Sequence, residues 1–261
     1  RQPFFSYPRI LGHELGVEIV ELGPEIAGLG LAVGDRAAVE PYLNCGKCIA
    51  CRRGHTNCCE KLQVLGVHRD GGMVEWLVVP ANKLHRSQLP VEHLALVEML
   101  CIGAHAVRRA QLDPNDQVVV VGAGPIGLAT AQFAKLTGAD VAVMEISPAR
   151  RQFCRQHLGI STLIDPQGDA VAALREALGG ELPTVVFDAT GNAQSMTAAF
   201  RYGANSGKLI FVGLVQGDIT FNDPEFHRRE MTLFASRNAT SQDFHNVIAA
   251  LESGRVNIAP W

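Results

Sequence analysis

The sequence predicts an α/β protein with two successive domains, a β-rich barrel-like unit followed by a doubly wound parallel sheet. Three observations predict this. Residues 1 to about 97 combine short apolar runs with frequent glycine and proline turn signals, which is typical of an all-β unit. From Val91 onward apolar residues recur at helical intervals, and strands then alternate with helices. A chain of 261 residues is also long enough for two domains.

The front half supplies short strands and one helix. The predicted strands are Val17–Val20, Arg36–Val39 and Trp76–Val79, and a cysteine-rich loop lies among them. A helix is predicted over Val91–Ala110, and Asp113-Pro114 ends it.

The back half alternates between the two periodicities. The predicted strands are Val118–Val121, Val141–Met144, Thr162–Ile164, Val185–Phe187, Lys208–Val212 and Leu233–Ala235. The predicted helices are Pro125–Gly138, Pro148–Leu158, Asp169–Leu178, Ala193–Tyr202 and Gln242–Ser253. Strand–helix alternation at this spacing builds a parallel sheet that is covered by helices on both faces.

Charge and hydropathy exclude several functional classes. The net charge is −3, from 23 basic and 26 acidic residues, and it gives no electrostatic argument for binding nucleic acid or an anionic membrane surface. The apolar runs are far shorter than the roughly 20 residues that a membrane span needs. Seven cysteines, four of them in a metal-type spacing, indicate a reducing compartment, and we expect a cytoplasmic protein.

Four cysteines form the most specific local motif. Cys45, Cys48, Cys51 and Cys59 are spaced C-x2-C-x2-C-x7-C, and four thiolates this close can surround one tetrahedral zinc ion. Four soft ligands leave no open position, so the predicted zinc site is structural. Spacing alone leaves Cys58 as a rival to Cys59. A nucleic-acid-binding zinc ribbon is disfavoured because no aromatic residues for stacking are interleaved.

A glycine-rich loop predicts a dinucleotide site. Gly122-Ala123-Gly124-Pro125-Ile126-Gly127 follows an apolar strand and opens a helix. The first glycine makes the turn, the second lets the backbone approach a pyrophosphate, and the third lets helix and strand pack closely. The helix N-terminus then offers free N–H groups to the phosphates. The alternative is a tight strand–helix turn that binds no ligand.

Residues after the later strands complete this predicted cofactor site. Glu145 ends the next strand, 18 residues beyond Gly127, which is near the separation expected for a carboxylate that bonds the adenosine ribose hydroxyls. A carboxylate there repels a 2′-phosphate and favours NAD over NADP. The nearby Arg150 and Arg151 could soften that preference, although a solvated helix face is the favoured interpretation of this pair. Further cofactor contacts are expected from loops at strand ends, at Thr190, Val212, Gly213 and Leu214.

The motifs taken together resemble the zinc-dependent medium-chain alcohol dehydrogenases. Within that family the chain is most similar to the sorbitol, threonine and sugar-acid (galactonate-like) dehydrogenase branch. The residues that carry the resemblance are, in chain order, Pro8–Glu14 (PRILGHE), Gly34-Asp35-Arg36, Cys45–Cys59, Asp70-Gly71-Gly72, Val79-Pro80, Glu98, His105-Ala106-Val107 and the GAGPIG loop. They span essentially the whole chain.

The resemblance implies a domain plan. Residues 1–97 correspond to a GroES-like β-barrel catalytic domain with its N-terminal part missing, including the structural zinc lobe. Residues 98–253 correspond to a Rossmann NAD-binding domain, and residues 254–261 begin the return to the catalytic domain.

The resemblance also implies a catalytic zinc site. His13 matches the ligand histidine of the family's GHE motif, Glu14 its neighbouring carboxylate, and Glu98 the third ligand, with Cys101 as a rival. Cys59 rather than Cys58 matches the fourth structural ligand. Two departures stand out: the family's first zinc ligand, a Cys upstream of GHE, is expected before Arg1, and the usual Glu-Pro reads Glu98-Met99.

The activity implied is hydride transfer from a secondary alcohol to NAD. The alcohol would be a polyol, a sugar acid or a hydroxy amino acid, and the protein would be a homo-oligomer, either a dimer or a tetramer. Two alternatives stay open: an NADP-dependent alcohol or aldehyde reductase of the same superfamily, and a non-catalytic, zinc-stabilised NAD-binding protein.

Overall fold

The computed structural model describes residues 7–24, 26 and 29–261, so the first six residues of the predicted catalytic domain lie outside the described residues. The strands, in chain order, are β1 Gly16–Glu18, β2 Arg36–Val39, β3 Tyr42–Leu43, β4 Gln63–Val64, β5 Leu84–Arg86, β6 Gln117–Val121, β7 Asp140–Met144, β8 Leu163–Ile164, β9 Val185–Asp188, β10 Lys208–Phe211 and β11 Thr232–Ala235. The helices are α1 Ile49–Arg52, α2 Val91–Ala95, α3 Val97–Ala110, α4 Pro125–Lys135, α5 Pro148–Leu158, α6 Ala170–Ala177, α7 Ala193–Ala199, α8 Asp223–Arg228 and α9 Ser241–Glu252.

Contacts divide the chain into two units. One holds the described residues up to Cys101 together with Asn238–Ala259 and Trp261, and the other holds Ile102–Arg237 and Pro260. This division places α9 in the first unit, whereas the domain plan predicted from the sequence counts residues up to 253 with the second. Phe244 of α9 stacks on His85 with ring centroids 4.7 Å apart.

The second unit is built on a six-stranded parallel sheet with the order β11-β10-β9-β6-β7-β8. Numbered from β6, this is the 3-2-1-4-5-6 order of the doubly wound dinucleotide-binding fold. The chain reverses direction across the sheet between β6 and β9, and ligands bind at such a switch point, beyond the carboxyl ends of the strands. The core strand β6 reads QVVVV, and its four valines are buried, as expected for a strand that is covered on both faces.

Capping residues set where the helices of this unit begin. Pro125 and Pro148 open α4 and α5, a position that suits proline because the missing N–H would have no partner in the helix. The Asp169 side chain accepts hydrogen bonds from Val171 N at 3.0 Å and Ala172 N at 3.1 Å, and so caps α6. Gly159 ends α5 in the left-handed conformation, with φ of 59°.

The described strands of the first unit form an antiparallel sheet, β1-β2-β5, and a separate β3-β4 pair. The strand predicted over Trp76–Val79 is wrong. That segment pairs with no strand among the described residues, and Trp76 and Val78 are 66% and 97% exposed. An apolar run predicts a strand only where a neighbouring strand can satisfy its backbone groups.

Helices depart from the prediction at two further places. The predicted helix Val91–Ala110 is divided into α2 and α3 at Leu96. Two short helices, α1 and α8, were not predicted. The second begins with Asp223 and Pro224, and the Asn222 side chain accepts a hydrogen bond from Glu225 N at 3.0 Å, which is a recognisable N-cap signal. Among the described residues, every helix is too short or too polar to cross a bilayer.

Candidate functional site

The four-cysteine motif closes into one cluster. The Sγ atoms of Cys45, Cys48, Cys51 and Cys59 all lie within 4.8 Å of one another, whereas Cys58 is exposed and outside the cluster. The short helix α1 begins directly after Cys48 and carries Cys51 one turn on. A tight turn at Gly46, with φ of 71°, returns the chain between the first two cysteines.

Backbone N–H groups point at these sulfurs. Cys59 Sγ accepts hydrogen bonds from Cys45 N at 3.2 Å and Lys61 N at 3.3 Å. Such bonds favour the thiolate form, and those from the backbone of Cys51 and Glu60 lower the pKa of Cys48 to about 6. Burial, together with the neighbouring thiols of Cys48 and Cys59, raises the pKa of Cys51 to about 11, so this sulfur becomes a thiolate near neutral pH only when a cation binds beside it. The donor set therefore fits zinc.

A second cluster brings together residues that are far apart in sequence. Ligand atoms of His13, Glu14 and Glu98 lie within 4.8 Å of one another; His13 is half-buried, Glu14 is exposed and Glu98 is buried. One imidazole and two carboxylates are donors that zinc accepts in catalytic sites, where an open position is retained. Cys101, the rival to Glu98, is buried but does not belong to the cluster.

The Asp70-Gly71-Gly72 turn holds the segment that leads to His13. Gly71 N bonds Ile10 O at 2.9 Å and Gly72 N bonds Gly12 O at 3.0 Å. A Cβ on Gly71 would lie 2.2 Å from Gly12 O, so only glycine permits this approach of two backbones. Asp70 Oδ1 accepts from Arg9 Nη1 at 3.1 Å and from Ile10 N at 3.2 Å. The two sequence motifs are thus parts of one support for the histidine.

Glu98 sits in the first turn of α3, and Tyr42 of β3 holds its carboxylate. Tyr42 Oη donates a hydrogen bond to Glu98 Oε1, and both side chains are buried. Burial is the main cause that raises the pKa of Glu98 to about 7, and the negative charge of Glu14 raises it further. The hydrogen bond from Tyr42 acts in the opposite direction and lowers the pKa. A cation beside this buried carboxylate would stabilise its ionised form.

The glycine loop adopts the geometry that its sequence predicts. Gly122 has φ of 92°, a conformation that other residues rarely adopt. A Cβ on Gly127 would lie 1.9 Å from Gly122 O, so the third glycine allows the close helix–strand contact. A Cβ on Gly124 meets nothing within 4 Å, which leaves open space over the second glycine. Pro125 and Ile126 form the first turn of α4 directly after it.

Glu145 is buried beside this loop. Its Oε2 accepts from Ala123 N at 2.7 Å and its Oε1 from Ser147 N at 2.8 Å, and Arg150 Nη1 lies 3.8 Å away. The carboxylate therefore braces the glycine loop as well as placing a negative charge next to it. A cavity of about 300 Å³ opens here. Its lining residues are Ala123, Gly124, Pro125, Leu128, Ala149, Arg150 and Phe153.

The loops after β9 and β10 lie against each other. A Cβ on Gly213 would lie 2.4 Å from Gly191 N, and Val212 N bonds Asp188 O at 2.9 Å. Thr190 is held by its own hydroxyl, which donates to Asp188 Oδ1 at 2.6 Å. Leu214 follows with 69% of its side chain exposed. The β9 loop follows the switch-point strand, and the β10 loop packs against it, on the edge where the glycine loop lies.

Comparison with known proteins matches both units. A family model described as "alcohol dehydrogenase GroES-like domain" matches residues 1–90, and one described as "zinc-binding dehydrogenase" matches residues 125–253. L-galactonate-5-dehydrogenase of Escherichia coli K12 is 49% identical over 98% of this chain and 75% of its own length. The chain belongs to the zinc-type medium-chain alcohol dehydrogenases. These are oxidoreductases that act on CH–OH groups, so the predicted family, fold class and enzyme class are confirmed.

Solved structures of the family agree with this fold. An E. coli CFT073 protein described as a short chain alcohol dehydrogenase, complexed with NADH, superposes with a TM-score of 0.89 at 29% identity. The aligned region covers 97% of this chain and 74% of the E. coli chain. A Sinorhizobium meliloti protein described as a zinc-binding dehydrogenase, bound to NADP, gives 0.90 at 28% identity and covers 98% and 76% of the two chains.

Sequence reasoning missed a set of buried polar residues in the first unit, one of which, Tyr42, holds Glu98. Tyr42, Glu40, Lys83 and His85 are all buried, and each makes a polar contact within the first unit. A signal was present in the run Glu40–Asn44, where polar or aromatic residues alternate with Pro41 and Leu43. Alternation in an extended segment predicts one shared face, but not that the polar face is the buried one.

Proposed function

We propose that this protein oxidises a secondary hydroxyl of a sugar acid, an aldonate such as L-galactonate, and transfers the hydride to NAD. The observation that carries the proposal is the His13, Glu14 and Glu98 cluster, found in a chain of the zinc-type dehydrogenase family. The 49% identity to an L-galactonate-5-dehydrogenase supports the choice of substrate class.

His13, Glu14 and Glu98 would hold the catalytic zinc, and Cys45, Cys48, Cys51 and Cys59 the structural one. A zinc ion held there with an open position would polarise a bound hydroxyl and lower the pKa of that hydroxyl towards neutrality. Tyr42 fixes the Glu98 carboxylate, and the glycine-supported segment before His13 fixes the imidazole. These side chains supply position, while NAD supplies the redox chemistry.

The cofactor would lie along the switch-point edge of the second unit. The N–H groups at the start of α4 would face the pyrophosphate, and the absent side chain of Gly124 would let it approach. Thr190, Val212, Gly213 and Leu214 would line the nicotinamide half. Glu145, with Arg150 at its side, would meet the adenosine ribose, and its buried negative charge favours NAD over NADP.

Domain roles and assembly follow from the same proposal. The first unit would carry both metals and the second unit NAD. We further propose a homo-oligomer formed through β11, which among the described strands pairs only with β10 and leaves Leu233 39% exposed. The free cysteines of the four-cysteine cluster suit a reducing, cytoplasmic location.

The proposal is tested by reduction of NAD and of NADP by the full-length, zinc-loaded protein. The panel holds L-galactonate and other aldonates, polyols, threonine and simple alcohols, each with and without a zinc chelator. Chelator-sensitive NAD reduction with aldonates is the expected result. A preference for NADP would favour the reductase alternative, and NAD binding without turnover on any class would favour the non-catalytic one.

A further inference from the structure

Three alternate residues of one segment reach both metal clusters. Glu40, Tyr42 and Asn44 flank or belong to β3, and their side chains lie on one face. Lys83 Nζ contacts both Glu40 Oε1 and Asn44 Oδ1, the second at 3.0 Å. Tyr42 packs edge-on against Phe244, and that ring stacks on His85. We call these three residues the β3 face.

One end of the β3 face meets the four-cysteine cluster. Asn44 Nδ2 donates to Cys51 Sγ at 3.7 Å, while the amide oxygen of Asn44 accepts from Lys83. Because Lys83 is only a donor, it fixes which way the amide points, and the NH2 group is directed at the sulfur. The orientation of Asn44 thus depends on Cys51 on one side and on Lys83 on the other.

The other end meets the second cluster. Tyr42 Oη donates to Glu98 Oε1, and the two side chains are 2% and 5% exposed. A hydrogen-bond partner behind a metal-ligating carboxylate sets its orientation and its basicity, as second-layer partners of metal ligands generally do.

A buried ionic anchor joins the two ends. Glu40 is fully buried and accepts hydrogen bonds from Lys83 and from Ser241 Oγ, the latter at 2.6 Å, while its Oε2 lies 3.1 Å from His85 Nε2. Groups this buried have few alternative partners, so displacing Lys83 from Asn44 would also disturb Glu40. Tyr42 lies two residues further along the same segment.

We propose that the β3 face couples the two metal clusters, so that metal in the four-cysteine cluster raises the metal affinity of the His13, Glu14 and Glu98 cluster. The inference rests on the proposed function, which places zinc at both. With Cys51 held by its metal, Asn44 and Lys83 are fixed, the Glu40 anchor is complete, and Tyr42 presents Glu98 in its ligating orientation. Linkage requires the reverse effect by the same factor.

Cobalt(II) titration of the metal-free, full-length protein tests this. Intense thiolate charge-transfer bands of a four-sulfur site report the four-cysteine cluster, and visible d–d bands of a mainly N/O site with at most one thiolate report the other. Asn44→Ala is expected to weaken cobalt binding at His13, Glu14 and Glu98 by about tenfold, although Asn44 touches none of them, and Tyr42→Phe by about 10- to 100-fold. Leu43→Val, on the opposite side of the same strand, is the matched control and should change neither affinity.

The reverse direction keeps the test decisive should Asn44→Ala fail to fold. In His13→Ala, where the second cluster cannot fill, the four-cysteine cluster should bind cobalt more weakly by a similar factor. The coupling would be overturned if Asn44→Ala changed cobalt binding only at the four-cysteine cluster, or if His13→Ala changed it only at the His13, Glu14 and Glu98 cluster. Either result would leave the proposed function intact. Cobalt bands from the four-cysteine cluster alone in the unmodified protein would overturn both.

Discussion

The two metal clusters differ in how they are assembled. The four cysteines come from a segment of fifteen residues, and local turns and backbone N–H groups arrange them. The second cluster joins His13 and Glu14 to Glu98, and it depends on the Asp70-Gly71-Gly72 turn, on Tyr42 and on the start of α3. The first cluster is thus encoded locally, whereas the second needs support from several parts of the unit.

The strongest way to break the assembled cluster is His13→Ala. Because the histidine is a proposed ligand of the catalytic zinc, we expect NAD reduction to fall by about a thousandfold or more, which corresponds to about 4 kcal/mol in the activation barrier. NAD affinity, measured by fluorescence titration, should be unchanged. Unchanged turnover would remove His13 from the catalytic site.

The local cluster is broken by Cys48→Ser. Loss of the structural zinc costs several kcal/mol, so we expect Tm to fall by about 5 °C or more. Cys58→Ser is the control, since this exposed neighbour lies outside the cluster and its loss should leave Tm unchanged. Calorimetry of both variants makes the check, and equal shifts would contradict the assignment of Cys59 as the fourth ligand.

Glu40→Gln tests the buried ionic contacts of Glu40 with Lys83 and His85. Burial alone would raise the pKa of Glu40, but hydrogen bonds from His85, Lys83 and Ser241 together lower it below its ordinary value of 4.5. Its stabilisation is therefore present above about pH 4.5 and is lost as the pH falls through the folded-state pKa. We expect a cost of about 3 kcal/mol at pH 7 that shrinks in acid, measured by urea unfolding. A cost that does not vary with pH would exclude the charge as its source.

Two glycines of the glycine-rich loop have different expected roles, one in backbone packing and one in the approach of the cofactor. Gly127→Ala forces a clash with Gly122 O and should cost about 1–3 kcal/mol of stability. Gly124→Ala has space for the methyl group and should keep its Tm while weakening NAD binding, because the methyl group enters the path of the pyrophosphate. Thermal melts and NAD titrations of both variants separate the two roles.

The smallest expected effect is on cofactor preference. Glu145→Gln removes the charge beside the glycine loop, so the ratio of NADP to NAD affinity should rise by about tenfold. Any change in the hydrogen bonds that Glu145 accepts from Ala123 N and Ser147 N alters the affinity for both cofactors alike, so the ratio of the two affinities isolates the charge. No change in the ratio would mean that Arg150 already neutralises it.

The same contrast explains what the sequence could predict. The glycine loop, the four cysteines and the strand–helix alternation are local patterns, and their geometry follows from short-range rules. The strand predicted over Trp76–Val79 was wrong because strand formation depends on a neighbouring strand, and local sequence does not show whether one is present. The hydrogen bonds of Glu40 and Tyr42 could not be read from sequence either, since Lys83, Ser241 and Glu98 come from distant segments.

The zinc content of the full-length protein and of His13→Ala can be measured by mass spectrometry after removal of free metal. We expect two zinc ions per chain in the unmodified protein and one in the variant, with only the former reducing NAD with an aldonate. One zinc ion per chain in both proteins would contradict a metal at His13, Glu14 and Glu98.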